Sequence, residues 1–236
     1  MASFSSFDTR SYRTVAPREG YDRWAATYEQ TVEDACQLTL DTLLALKRDL
    51  HAGRVSAEDG GFVIEALRES LEDLRTVAMD TPFDPNAEPP VLLMGAAGRD
   101  PLDALVLEIV RVLLRNEPMT LEVLSTDLMI GEVMTAIEAK APAAVVIPSL
   151  PPAGLTSARH LCMRLHARIP RLVLIAARLG DTEAETEERA PLLATAGCTE
   201  VATSLPALQS ELQRIVRAAC NGTPVTGAVL AKAGNG

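Results

Sequence analysis

Val91-Leu-Leu-Met94 runs into Gly95-Ala-Ala-Gly98, and Arg99-Asp100-Pro101 then leads into Leu105, Ile109 and Leu113 at helical spacing. A short apolar run that breaks at glycines and resumes with a 3.6-residue period reads as strand, turn and helix. Asp100 suits the N-cap and Pro101 the first turn, where a missing N–H costs nothing. The same grammar recurs downstream. Leu121-Glu-Val-Leu124 is followed by Asp127 as a cap and a helix through Ile130, Val133 and Ile137. Ala143-Ala-Val-Val-Ile147 precedes a helix over 157–169, and Leu172-Val-Leu-Ile175 is the fourth strand. An acidic segment, 181–189, leads to a short helix that begins at Pro191 and stops at Gly197. Glu200-Val-Ala202 is a weak fifth strand, and Ser204 with Pro206 opens a last helix through Leu208, Leu212 and Ile215. Apolar strands alternating with helices imply a parallel sheet covered on both faces. Five such strands predict an α/β domain over 91–220 with the flavodoxin-like order 2-1-3-4-5.

Upstream the rhythm is different. Residues 1–20 are polar and read as a flexible arm. Residues 21–79 read as a small helical module of about three amphipathic helices. The first spans 21–33 and the second 34–50, with Leu43, Leu46 and Leu50 at helical spacing. After the break at His51-Ala-Gly53, Ser56 and Asp59 resemble a capping box ahead of Val63, Leu67, Leu71 and Leu74. Pro82, Pro85, Pro89 and Pro90 mark 80–90 as a Pro-rich linker. Residues 221–236 read as a disordered tail.

Composition narrows the function classes. The chain has 236 residues, 47% hydrophobic and 23% charged, which describes a globular protein. Its net charge of −10 opposes general nucleic-acid binding, and 3% aromatics leaves little for stacking single strands. Cys36, Cys162, Cys198 and Cys220 show no C-x-x-C spacing, so neither a disulfide framework nor a zinc site is expected. The start of the sequence lacks the pattern of a signal peptide, and no apolar run is long enough to span a bilayer. A cytoplasmic location is the expectation.

In an open parallel sheet, ligands sit beyond the carboxyl ends of the strands, where the strand order reverses. That point lies between the first and third strands. The candidate contacts are Gly95, Gly98, Arg99 and Asp100 on one side and Ser149 on the other. Neither a dinucleotide fingerprint nor a phosphate loop is present. Other groupings read as structural. His160, Arg164, Arg168 and Arg171 form a basic stripe, matched by Glu183, Glu185, Glu187 and Glu188 on the neighbouring segment through ion pairs. Cys162 and His166 share a helical face but make only half a metal site. The third strand ends Ile147-Pro148-Ser149, without the aspartate of a phosphorylation receiver. Gly20-Tyr-Asp-Arg-Trp24-Ala-Ala-Thr-Tyr28 resembles the lead-in of some class I methyltransferases.

A helical module, a Pro-rich linker and a five-stranded α/β domain together resemble cobalamin-binding sensory modules. Residues 143–168, Ala143-Ala-Val-Val-Ile-Pro-Ser-Leu-Pro-Pro-Ala-Gly-Leu-Thr-Ser-Ala-Arg-His-Leu-Cys-Met-Arg-Leu-His-Ala-Arg168, are similar to the soluble C-terminal region of some autoinducer-2 exporter-family proteins. Asp49-Leu-His-Ala-Gly-Arg-Val-Ser56 and Glu69-Ser-Leu-Glu-Asp-Leu74 are similar to its helical lead-in, and the resemblance covers roughly residues 35–218. It implies Asp-x-His-x-x-Gly after the first strand, Ser-x-Leu after the third and Gly-Gly after the fourth. Here Arg99 stands at the Asp, Pro101 at the cobalt-ligating His, Ala104 at the Gly, Pro148 at the Ser and Ala176-Ala177 at the Gly-Gly, with Leu150 matching. The expected function is therefore a non-enzymatic regulatory or interaction protein on a degenerate cobalamin-binding-like domain. Its helical module would meet a protein partner or a second copy. The alternatives are a sensor binding cobalamin or another nucleotide-like molecule at the crevice, and a methyltransferase-like enzyme.

Overall fold

The computed structural model describes residues 17–77 and 90–221, with side chains described from Thr31 onward. The linker residues 80–89, the arm up to residue 16 and the tail from 222 lie outside the described residues. Five strands form one parallel sheet in the order β2-β1-β3-β4-β5. They are β1 (Val91–Gly95), β2 (Met119–Val123), β3 (Ala144–Pro148), β4 (Val173–Ala177) and β5 (Glu200–Ala202). Seven helices accompany them: α1 (Pro17–His51), α2 (Ala57–Val77), α3 (Pro101–Leu113), α4 (Ile130–Lys140), α5 (Leu155–Arg168), α6 (Glu183–Thr195) and α7 (Leu205–Cys220). The flavodoxin-like α/β fold behind a helical module is as the sequence predicts.

Alternation along the central strands sorts the core into two layers. Leu93, Ala144, Val146, Val173 and Ile175 pack with α3, α7 and the N-terminal helices. Met94, Val145, Ile147, Leu174 and Ala176 pack with α4, α5 and α6. Register follows from the pairs Gly95 with Val123, Gly95 with Val146, and Ile147 with Ala176.

The helical module is a hairpin of two helices, not three. No glycine or proline occurs between Gly20 and Gly53, and α1 runs unbroken through the break expected between 33 and 34. It also starts at Pro17, inside the stretch read as an arm. Its buried stripe is Val32, Cys36, Leu40, Leu43 and Leu46. Gly53, at φ +67°, ends it in the left-handed region that a residue with a Cβ resists. Ser56 Oγ then accepts from Asp59 N at 3.1 Å and caps α2. The hairpin lies on α3, which is buried almost all round because the sheet covers one side and α1 and α2 the other.

Two further boundaries differ from the sequence reading. Asp127 does not cap α4; the helix starts at Ile130, and Met129 N donates to Glu132 Oε2 at 2.7 Å. The acidic segment is not a lead-in, since α6 begins at Glu183 and carries Pro191 inside it. Thr182 Oγ1 accepts from Glu185 N, and Thr182 N donates to Glu185 Oε2, so a capping box fixes the earlier start. Pro191 and Glu187 are both exposed, so the carbonyl that loses its partner faces water.

Candidate functional site

A crevice of about 570 Å³ opens beyond the carboxyl ends of β1 and β3. The loop after β1 forms one wall, the start of α5 the second, and the loop from β2 into α4 the third. Its interior is apolar, with Ala96, Leu124, Val133, Ile147, Ala158 and Leu161. Its rim is basic, with Arg99, His160 and Arg164. Arg99 Nη2 donates to Met129 Sδ at 2.8 Å across the mouth, which is a weak acceptor for a guanidinium. Neither His160 nor Arg164 has a hydrogen-bond or ion-pair partner among the described residues.

The crevice also holds one carboxylate, Asp103, in the first turn of α3 and only 3% exposed. Its Oδ1 accepts from Lys47 Nζ at 2.6 Å and from Leu150 N at 2.8 Å. Lys47 belongs to α1, is itself 5% exposed, and also reaches Asp100 Oδ2 at 2.8 Å. Nothing among the described residues donates to Asp103 Oδ2. Burial pushes the Asp103 carboxyl up to about 6, against the opposing pull of Lys47 and with some help from Asp100. One buried group thereby joins α1, α3, the loop after β3 and the crevice. Gly154 leaves room beside it, because a Cβ there would sit 2.9 Å from Ser149 Oγ and 3.4 Å from Asp103 Oδ2.

The five residues expected to contact a ligand separate into two groups. Gly98 and Arg99 line the crevice. Gly95 ends β1 as a packing glycine, since an added Cβ would lie 2.5 Å from a buried Leu107 methyl. Asp100 caps α3 by accepting from Leu102 N at 2.9 Å and is tied to Lys47. Ser149 is 1% exposed and faces Arg178, not the crevice. Arg178 is 2% exposed and closes the ends of β3 and β4 from within. Its Nη1 donates to Ser149 O, Ser149 Oγ and Ala153 O, and its Nε to Asp181 Oδ2 at 2.9 Å. Arg189 completes the cluster on Asp181 Oδ1 at 2.7 Å.

The positions of the cobalamin pattern do not fit a histidine-ligated cobalamin. Pro101 is exposed at the first turn of α3 and has no ligating atom. Ala176 and Ala177 are wholly buried in strand contacts, and the buried Arg178 cluster fills the ground beyond them.

Sequence reasoning passed over Asp103, Lys47 and Arg178. The signal was present for the first two: each is a charge inside an apolar helical run, Leu-Leu-Ala-Leu-Lys47 and Leu102-Asp-Ala-Leu-Val-Leu107. The basic stripe on α5 also divides differently from expectation. Arg168 pairs with Glu138 of α4 instead of α6, while Glu185 pairs with Arg189 of its own helix. His160 and Arg164 turn to the crevice. Cys162 does not face His166 as a partner; it is buried against Cys198, with the sulfurs 2.8 Å apart, and His166 is exposed beside Gly197. No group of three or more metal-ligating side chains occurs among the described residues. Gly20–Tyr28 forms part of the unbroken helix α1.

The sheet order and the crevice define a flavodoxin-like α/β protein carrying an N-terminal helical hairpin. No family model matches the sequence, and neither does any curated protein. Similar solved structures include a cobalamin-binding protein from Desulfitobacterium hafniense, at 14% identity over 84% of this chain and 90% of that one, with a TM-score of 0.45. The monomethylamine corrinoid protein of Methanosarcina barkeri is 14% identical over 73% of this chain and 78% of its own, with a TM-score of 0.49. A LuxR-family two-component response regulator from an Aurantimonas species is 17% identical over 61% of this chain and 94% of its own, with a TM-score of 0.37. No described helix is long and apolar enough to cross a membrane.

Proposed function

We propose that this chain is a non-catalytic regulatory module in which a small molecule held in the β1/β3 crevice sets the state of the α1–α2 hairpin. The observation that carries the reading is the Lys47–Asp103 pair. Asp103 gives Oδ1 to Lys47 of the hairpin, is itself part of the crevice lining, and has no donor to Oδ2 among the described residues. A ligand that donates to that free oxygen, or changes the charge of the carboxyl, alters what holds Lys47 in place. Coupling of this kind requires a physical element biased by both sites, and the buried pair is such an element. The hairpin is the surface offered to a protein partner or a second copy, since Leu38 on α1 is 68% exposed and Phe62 on α2 is 81% exposed. The likeness of residues 143–168 to the soluble region of autoinducer-2 exporter-family proteins makes a membrane protein one candidate partner.

The test is hydrogen exchange along α1 in a chain whose crevice is filled from within. Gly131 lines the crevice, and a Cβ there meets open space, so Gly131→Trp inserts bulk without backbone strain. Altered protection over residues 43–51, absent when Lys47→Met is added, is the expected result. Unchanged protection would sink the regulatory reading.

A further inference from the structure

The crevice combines features that specify the chemistry of its occupant. Three basic side chains, Arg99, His160 and Arg164, stand at one mouth. His160 and Arg164 are one helical turn apart on α5, and Arg168, a turn further on, is already neutralised by Glu138. The only acidic group in the lining, Asp103, is at the buried end and is held by Lys47. The mouth is therefore cationic in a chain of net charge −10, which draws anions toward it. Between mouth and buried end the walls are aliphatic. The α4 side is completed by Met129 and Ile130, which remain 58% and 37% exposed at the rim. Exposed apolar side chains beside arginines that have no carboxylate partner among the described residues form a surface that water covers poorly and that an amphipathic molecule covers well.

We infer that the crevice takes a compact amphipathic anion: an apolar ring or short chain that fills the aliphatic walls, with one carboxylate, sulfonate or phosphate group at Arg99 and Arg164 and a hydrogen-bond donor toward Asp103 Oδ2. This inference rests on the crevice being the ligand site. A guanidinium meets such an anion through two parallel N–H bonds, so Arg99 must leave the Met129 sulfur when the ligand arrives. Polyphosphates fit badly, because no glycine-rich phosphate loop is present and the cations lie only at the rim. The donor at the far end is what the unpartnered carboxylate oxygen selects, since a buried acceptor gains from any donor brought to it.

The experiment titrates the whole chain with a matched pair of fluorescent probes. 8-Anilinonaphthalene-1-sulfonate carries an apolar aromatic body and a sulfonate; N-phenyl-1-naphthylamine carries the same body without the anion. Saturable one-to-one binding of the sulfonate is expected, weakened about tenfold or more in Arg99→Gln/Arg164→Gln, with the neutral probe unaffected by the same change. Both arginines are exposed, so an unaltered melting curve will show that the double variant is folded. Equal binding of the sulfonate to the native chain and the double variant would overturn the anion specificity while leaving the crevice as a site. Binding that persists unchanged for both probes in Gly131→Trp, or no saturable binding of either probe, would overturn the crevice as well, and with it the regulatory reading.

Discussion

Asp103 is the residue on which most of the local energetics converge. Its carboxyl is held up to about 6 by burial, above the unfolded value near 4. The folded chain therefore binds this proton more tightly than the unfolded chain. The contribution is fully present below about pH 4 and is lost as pH rises through 6. Asp103→Asn keeps the shape and removes the titration. Relative to that variant, the native chain should lose on the order of 2 kcal/mol of stability between pH 4 and pH 7, read from urea unfolding across that range. A parallel pair of pH profiles would show that the aspartate is not buried as described. The cysteines give a second residue-scale outcome. Cys36, Cys162 and Cys198 are buried and Cys220 is exposed. Burial pushes the Cys36 thiol up to about 11, and the hydrogen bond to Cys162 together with burial pushes Cys198 up as well. Only Cys220 should react promptly with a thiol reagent at neutral pH, and the other three only on unfolding. Prompt reaction of Cys162 or Cys198 would contradict the packing of α5 against the turn before β5.

At the scale of elements, the joints matter more than the elements themselves. Leu43 is wholly buried where α1 meets α3. Leu43→Ala should cost about 2–5 kcal/mol in chemical unfolding, whereas Phe62→Ser on the exposed face of α2 should stay within about 0.5 kcal/mol. A negligible loss at Leu43 would mean that the hairpin does not depend on α3. The ends of β3 and β4 are joined by Arg178, which satisfies two backbone carbonyls and the buried Asp181. Arg178→Met strands these acceptors and leaves Arg189 as the only partner of Asp181, at a cost of about 3–5 kcal/mol. Arg178→Lys should recover little of it, because one ammonium cannot reproduce the planar fork of donors. Full recovery with lysine would show that charge alone holds this joint.

For the whole molecule, the layers explain why one helix is covered on both sides. α3 lies between the sheet and the hairpin, so under the proposed function a ligand at its N-terminus would act on a shared helix and not on a separate domain. Histidine-ligated cobalamin binding also has its test at this scale. With Pro101 at the ligating position and the β4 end closed by Ala176, Ala177 and Arg178, the protein incubated with cobalamins in the dark and then desalted should be colourless. A retained red chromophore would contradict this expectation and require opening of the Arg178 cluster.

Strand and helix types, strand order and the crevice position were legible in the chain, because short continuous apolar runs, apolar spacing of period 3.6 and the caps at Asp100 and Ser204 are local signals. The continuity of α1 was legible too, in the absence of any glycine or proline between Gly20 and Gly53, although the sequence reading divided it between 33 and 34. The start of α6 depended on the Thr182–Glu185 box, a local signal overshadowed by Pro191. Tertiary structure alone decided which loop residues face the crevice. Gly95, Asp100 and Ser149 turn away into packing, capping and the Arg178 cluster, while His160 and Arg164 turn in from a helix far along the chain. Tertiary structure also decided the partner of each buried charge: Lys47 and Asp103 are 56 residues apart. Their pairing follows from how the hairpin docks on α3, and burial then makes each charge require the other.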